Sequence, residues 1–262
     1  MDPNAPNAPN VSVGPLGTAA WVVLPTYNEA ENLGPISAAI LDHLPGATLL
    51  VVDDGSPDGT GRLADNLASA DPRIRVCHRA AKEGLGRAYL DGFRVALAGG
   101  ATIVIQMDAD FSHDPATLPA LIAPILADRA DLVIGSRYAP GGGVRDWGIA
   151  RRVISRGGSM FARIVLGLRP HDLTGGFKVW RATTLGSIPF DGVHAGGYVF
   201  QIEMTYRASR MGARIREVPI TFRDRRVGVS KMSRRIIGEA LIVVLTLRID
   251  ELRGRGPRSS RR

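Results

Sequence analysis

The sequence predicts an α/β domain built on a mostly parallel central sheet with helices on both faces, and three observations carry that reading. Short apolar runs of strand length alternate with stretches whose apolar residues recur at helical spacing. That alternation indicates a βαβ series and a mostly parallel sheet covered on both faces. Carboxylates stand directly after two of the runs, at the strand ends where such sheets bind ligands: Asp53 and Asp54 after one, Asp108 and Asp110 after another. A chain of 262 residues, 45% apolar and 22% charged, has the length and composition of an ordinary globular domain.

Taken in order, residues 1–18 contain repeated Asn-Ala-Pro units and are expected to form a disordered tail. The domain is expected over 19–252. Ala19–Leu24 and Leu49–Val52 read as buried strands, as do Ile74–Cys77, Thr102–Met107 and Leu132–Ile134. Leu33, Ile36, Ile40 and Leu44 fall three and four apart and predict a helix, and 59–70, 84–98 and 115–127 read the same way. Pro115 follows His113-Asp114 and marks a helix start. Beyond Gly135 the pattern loosens. Ala139–Gly143 is a glycine-rich loop, Arg151–Leu166 a basic helix, Phe177–Trp180 and Ile215–Ile220 further strands, and Val199–Met211 a helix. A last helix is expected over Ser233–Leu252, followed by a basic tail, 253–262, holding five arginines. Its apolar centre, Leu241–Leu247, suits either packing on the core or docking on a membrane surface or partner.

The charge is divided. Residues 1–136 carry 8 Lys/Arg against 16 Asp/Glu, a net of −8, while 137–262 carry 25 against 9, a net of +16, giving the overall +8. An acidic half suits a cation and a basic half suits phosphates, anionic lipid or nucleic acid. The single cysteine, Cys77, excludes an internal disulfide and a cysteine-built zinc site and fits a reducing compartment. No run approaches the roughly 18 apolar residues of a membrane-spanning helix. The N-terminal residues lack the basic and apolar segments of a signal peptide.

Met107-Asp108-Ala109-Asp110 is the most informative constellation. Two carboxylates one residue apart at a strand end point the same way and share a hard divalent ion, Mg²⁺ or Mn²⁺, with ligand phosphates completing its shell. Asp53 and Asp54 suit either a second acidic site or turn and N-cap duty. In Pro25-Thr26-Tyr27-Asn28-Glu29, Tyr27 offers a flat face to a base and Glu29 accepts from base or ribose donors, while Asn28 suits a helix cap. Lys82, Gly84 and Gly86 begin like a dinucleotide fingerprint, but Tyr89 stands where its last glycine belongs, so the segment reads as a turn near a donor.

These segments, with VVDDGSPDGT at 51–60, KEGLGRA at 82–88 and MDADFSHD at 107–114, resemble family 2 glycosyltransferases of the GT-A fold. GSRY at 135–138, RRVISRG at 151–157, DLTGGF at 172–177, GYVFQIEM at 197–204 and FRDRRVGVSK at 222–231 are similar to the dolichol-phosphate (polyprenol-phosphate) mannose synthases, and the resemblance spans about 19–247. It implies a guanosine site at Pro25, Tyr27, Glu29, Val52 and Asp54, with Lys82 nearby. Asp108 and Asp110 hold the metal, with Ala109 close to the donor. Ser112 stands where the family often has a glutamine ligand and acts through water. Arg137, Arg225 and Lys231 contact donor or transferred phosphate; Arg137, Arg151 and Ser155 hold the acceptor phosphate. Asp108, Asp110, Arg225 and Lys231 make up the catalytic set, and no role falls to Arg226, Arg234 or Arg235. Gly228 lies in a loop that closes over the donor. Glu203, in a matched motif, reads as a packing or orienting group.

The implied reaction moves mannose from GDP-mannose to polyprenyl (dolichyl) phosphate with inversion. The acceptor phosphate is already ionised, so no catalytic base is required. Metal and guanidinium groups offset the repulsion between the two anions. The lipid acceptor implies peripheral attachment at the cytoplasmic face of a membrane, through this chain's own surface or a membrane-anchoring protein. Rival readings are a UDP-glucose-dependent polyprenyl-phosphate glucosyltransferase, a noncatalytic nucleotide-sugar sensor and a basic nucleic-acid-binding protein. The last leaves the carboxylate pairs unexplained and has no nucleic-acid motif, so no nucleic-acid partner is expected.

Overall fold

The computed structural model describes residues 19–194, 196–223 and 234–253. The tail expected at 1–18 and, apart from Arg253, the tail expected at 253–262 lie outside them, together with Arg225, Arg226, Gly228 and Lys231. Nine strands and eight α-helices are described: β1 Ala20–Thr26, α1 Ala30–His43, β2 Thr48–Asp53, α2 Thr60–Ala70, β3 Ile74–His78, α3 Leu85–Ala98, β4 Ile103–Gln106, α4 Leu118–Leu126, β5 Leu132–Ser136, β6 Gly143–Val144, α5 Ile149–Leu166, β7 Lys178–Arg181, α6 Ala182–Gly186, α7 Gly197–Arg210, β8 Ile215–Pro219, β9 Thr221–Phe222 and α8 Arg234–Leu252.

The main sheet has seven strands in the order β3-β2-β1-β4-β7-β5-β8. Its β1, β2, β3 and β4 ladders are parallel, β8 runs parallel to β5, and β7 is inserted antiparallel between β4 and β5. Because β7 is reversed, its first residue, Lys178, lies at the edge where the parallel strands end. That edge therefore gathers the segments after β1, β2, β4, β5 and β8 and the segment before β7. Register fixes the neighbours: Pro25 lies beside Val52, Thr26 beside Asp53, and Val23 beside Gln106. The strand order turns back between β1 and β4, which is where sheets of this class open a ligand crevice.

Both faces of the sheet are covered. Val22, Leu24, Val51 and Ile105 pack with Leu33, Ile36 and Ile40 of α1 and Leu121 and Ile125 of α4. The alternate residues Trp21, Val23, Val52 and Val104 pack with Tyr89, Phe93 and Ala96 of α3 and Phe200 and Met204 of α7. Each aliphatic side chain buried in this way contributes about 1.5–3 kcal/mol. Helix α3 sits close enough that a Cβ on Gly92 would lie 2.4 Å from Val23 Cγ1, so glycine is what allows the approach. A smaller cluster joins Ala162 and Leu166 of α5, Ile202 and Tyr206 of α7, and Val244 and Leu247 of α8.

Helix α8 thus packs on the core through Val244 and Leu247 and leaves Leu241, Ile242, Leu245, Ile249 and Leu252 exposed. No described helix is long and apolar enough to cross a membrane.

Candidate active site

The paired ends of β1 and β2 tie the first two motifs together. Asp53 is buried and spent internally: Thr26 Oγ1 donates to it at 3.2 Å, Ser56 N at 3.1 Å and Ser56 Oγ at 2.6 Å. Asp54 is ion-paired to Arg79, which also reaches Asp91 at 2.8 Å and Glu83 at 2.9 Å. Asn28 is not the cap of α1; it takes a left-handed φ of 60°, and Glu29 stands at the N-cap without a side-chain capping bond. The loop after β2 does that work: Ser56 Oγ, Thr60 Oγ1 and Asp58 accept from the amides of Asn28, Glu29 and Ala30 at 3.1, 3.0 and 3.2 Å. Tyr27 carries the Lys82 ammonium 3.4 Å above its ring, a contact that joins two residues predicted to meet the donor. Gly84, at φ 103°, precedes α3 and supplies the turn.

At the end of β4 the carboxylates are oriented by other partners. The hydroxyl of Tyr89, fully buried on α3, donates to Asp108 Oδ1 at 2.8 Å. The backbone N–H of Asp108 donates to His113 Nδ1 at 3.2 Å, which fixes that imidazole with its proton on Nε2. Burial pulls the His113 pKa down and pushes the Tyr89 pKa well up, the latter helped by the Asp108 charge. Phe111 adopts φ 58°, unusual for a bulky residue. The turn it makes brings Ser112 N within 3.0 Å of Asp110 Oδ1. Ser112 Oγ is buried with no hydrogen-bond partner among the described residues. Two carboxylates and an unsatisfied hydroxyl form an oxygen donor set that fits a hard divalent ion. Among the described residues no three His, Cys, Asp or Glu side chains converge, so such an ion takes the rest of its shell from water or ligand oxygens.

The basic side of the cleft follows β5. Arg137 is buried and held in a fork by Asp172, with Nε at 2.7 Å and Nη2 at 2.6 Å from its two oxygens, and Nη2 also donates to Thr174 at 2.8 Å. Burial alone would raise the Asp172 carboxyl; the Arg137 guanidinium more than offsets this and holds it below the usual carboxylate range. Trp147 joins the next two residues, stacking Arg151 at 4.0 Å and Arg137 at 5.4 Å. Ser155 on α5 accepts from Tyr138 OH at 2.7 Å and lies 3.4 Å from Thr174 Oγ1. Arg137, Arg151 and Ser155, the predicted acceptor-phosphate residues, are therefore linked through Trp147, Thr174 and Tyr138. Glu203 is fully buried, bound by Arg207 and by His194 N at 2.8 Å. It orients the segment before α7, as the sequence led one to expect. Beneath the edge Lys178 is fully buried, donating to Gln201 O at 2.6 Å and Thr205 Oγ1 at 2.9 Å, and burial pulls its pKa down to about 7.

Sequence reasoning missed Tyr89, His113, Asp172 and Arg79 as supports of the site. The signals were present: Tyr89 breaks a glycine pattern, and His113 and Asp172 lie inside motifs read for other residues.

An acidic strand-end pair at a sheet crevice, faced by a basic wall, suits group transfer between phosphorylated substrates. The chain belongs to glycosyl transferase family 2, whose family model matches residues 21–186. It is 48% identical over 237 residues to the undecaprenyl-phosphate mannosyltransferase of Micrococcus luteus, covering 89% of this chain and 97% of that one. It is also 48% identical over 238 residues to the polyprenol monophosphomannose synthase of Mycolicibacterium smegmatis, covering 89% of both chains. Among solved structures it shares its fold with glucosyl-3-phosphoglycerate synthase from Mycobacterium tuberculosis, held with Mn²⁺, UDP and product (TM-score 0.60, 22% identity, 97% of this chain and 87% of that chain). It shares it too with a mannosyltransferase from Pyrobaculum calidifontis in complex with GDP-mannose and Mn²⁺ (TM-score 0.56, 19% identity, 91% of this chain and 65% of that chain).

Proposed function

We propose that the protein transfers mannose from GDP-mannose to a polyprenyl phosphate, with inversion at the sugar carbon, giving a β-linked polyprenyl phosphomannose. The observation that carries this is the 48% identity, over 89% of the chain, to two enzymes that make polyprenyl phosphomannose or mannosylate undecaprenyl phosphate. The acidic shelf supports a donor site: Pro25, Tyr27, Glu29, Val52, Asp54 and Lys82 take the guanosine end, with Ala109 close to the diphosphate. A divalent ion, Mg²⁺ or Mn²⁺, held by Asp108 and Asp110 and through water by Ser112, supplies Lewis-acid stabilisation of the departing GDP. Arg151 and Ser155 hold the acceptor phosphate, and Arg137, kept rigid by Asp172, adds positive charge beside it. Arg225 and Lys231, outside the described residues, are assigned to the donor phosphates. The acceptor oxygen is anionic near neutral pH and attacks without a base, so the chain's own task is to align two anions and offset their repulsion.

Helix α5 supports attachment at the cytoplasmic face of a membrane. Ile149, Val153, Met160 and Ile164 are exposed and fall within one narrow stripe at helical spacing. Arg152 and Arg156 flank that stripe in solvent, while Ser155, Ser159, Ala162 and Leu166 are buried on the other side. One helix thus offers apolar side chains and positive charge to anionic lipid and its predicted phosphate-binding residues to the cleft.

The decisive test is transfer of radiolabelled mannose from GDP-mannose to a short polyprenyl phosphate, with and without Mn²⁺. A lipid-linked mannose product that requires metal is expected; transfer from UDP-glucose in its place would overturn the reading. Co-sedimentation with anionic but not neutral vesicles, lost in Val153→Glu, checks the membrane face.

A further inference from the structure

One side chain near Asp108 has no role so far. Gln201, on α7, is only 3% exposed. Its Oε1 accepts from Gln106 Nε2 at 2.7 Å, and its backbone oxygen accepts from Lys178 and Thr205. Those bonds hold the residue from one side. Its Nε2 has no hydrogen-bond partner among the described residues. The direction of this amide follows from Gly176, since a Cβ there would lie 3.5 Å from each of Gln201 Nε2, Asp108 Oδ2 and His113 Cε1. The reverse amide orientation would set two oxygens, Gln201 Oε1 and Asp108 Oδ2, around the same small space. An amide N–H without a protein partner, set with a carboxylate oxygen around one small space, is half of a hydrogen-bonding pair that a ligand can complete.

We infer that Gln201 contacts the hexose of the nucleotide sugar and helps to select it, an inference that rests on the donor-site reading above. A hydroxyl donates one hydrogen bond and accepts others. It therefore satisfies both groups at once, accepting from Gln201 Nε2 and donating to Asp108 Oδ2. A phosphate oxygen only accepts, so it can pair with the amide but has no hydrogen to donate to Asp108 Oδ2. Gly176 keeps the space open: a methyl group there meets only ordinary van der Waals contact with the protein, yet stands where the hydroxyl would sit.

Two variants test this, each checked for folding by its thermal melt. In Gly176→Ala the affinity for GDP with Mn²⁺, measured by calorimetry, is expected to stay within about twofold, while kcat/KM for GDP-mannose falls about tenfold or more. In Gln201→Met, a near-isostere without the donor, a panel of GDP-sugars each lacking one hexose hydroxyl is compared with GDP-mannose. The parent enzyme is expected to lose about tenfold or more in kcat/KM on one deoxy sugar, and Gln201→Met to lose most of that discrimination on the same sugar. If Gly176→Ala weakens GDP as much as GDP-mannose, the amide meets diphosphate and the proposal fails. It also fails if Gln201→Met leaves every discrimination ratio unchanged. If the parent enzyme transfers nothing from GDP-mannose, the donor reading itself has failed, and the inference with it.

Discussion

The acidic ends of β2 and β4 differ in where their charges go. At the end of β2, Asp53 accepts three hydrogen bonds from Thr26 and Ser56, and Asp54 is paired with Arg79. At the end of β4, Asp108 is oriented by Tyr89 and His113, while Oδ2 faces the space at Gly176, and Asp110 stands beside an unsatisfied serine hydroxyl. One pair closes a turn and anchors a loop; the other is held by Tyr89 and His113 with Asp108 Oδ2 facing the space at Gly176, as the proposed donor site requires. Two strand ends of similar composition are thus separated by what the rest of the chain brings to them.

Substitutions at the two ends should separate activity from stability. Asp110→Ala is expected to lower kcat by about a thousandfold, since several kcal/mol of leaving-group stabilisation disappear, with a thermal melt close to that of the parent. Normal turnover by the folded variant would erase the contrast. Asp53→Ala should behave the opposite way: three hydrogen bonds to a buried carboxylate are lost, costing about 2–3 kcal/mol in denaturant unfolding, while Mn²⁺ affinity in the presence of GDP is unchanged. Weakened Mn²⁺ binding there would make the two ends alike.

Below the edge, Lys178 has a native pKa of about 7, depressed by burial from an ordinary 10.5. The unfolded chain therefore binds the extra proton across that interval, and the lysine's contribution to stability grows as pH rises through it and is lost as pH falls through 7. Relative to Lys178→Met, the parent should gain up to about 1.4 kcal/mol per pH unit above pH 7; parallel stability profiles would contradict this. The finest test is Tyr89→Phe, which removes one hydroxyl behind Asp108. Mn²⁺ affinity in the presence of GDP, followed by electron paramagnetic resonance, should weaken about tenfold, with kcat at saturating metal much less affected.

The strands and helices were largely legible because apolar runs and three-four spacings report burial directly. Direction was not: Phe177–Trp180 reads as a strand, but nothing in Phe-Lys-Val-Trp says that it enters the sheet reversed between β4 and β5. The two-residue strands β6 and β9 and the short α6 fall below the length at which periodicity carries information. In the site, Asp108 and Asp110 stood out as a local pattern. Tyr89 and Asp172 did not, because each acts on a residue far away in the chain, Tyr89 on Asp108 and Asp172 on Arg137. Asp54 was read for the guanosine end, and its bond to Arg79 was likewise invisible without the fold.

Because β7 runs against its neighbours, the sheet is completed only when a late stretch of chain is threaded between two earlier strands, β4 and β5. Strands β1, β2 and β3 pair in chain order and can assemble locally, whereas β4 on β1 and β7 between β4 and β5 wait on contacts distant in the sequence, which form slowly. The cleft accordingly opens along a seam that only long-range pairing closes, and the site is expected to take shape late in folding.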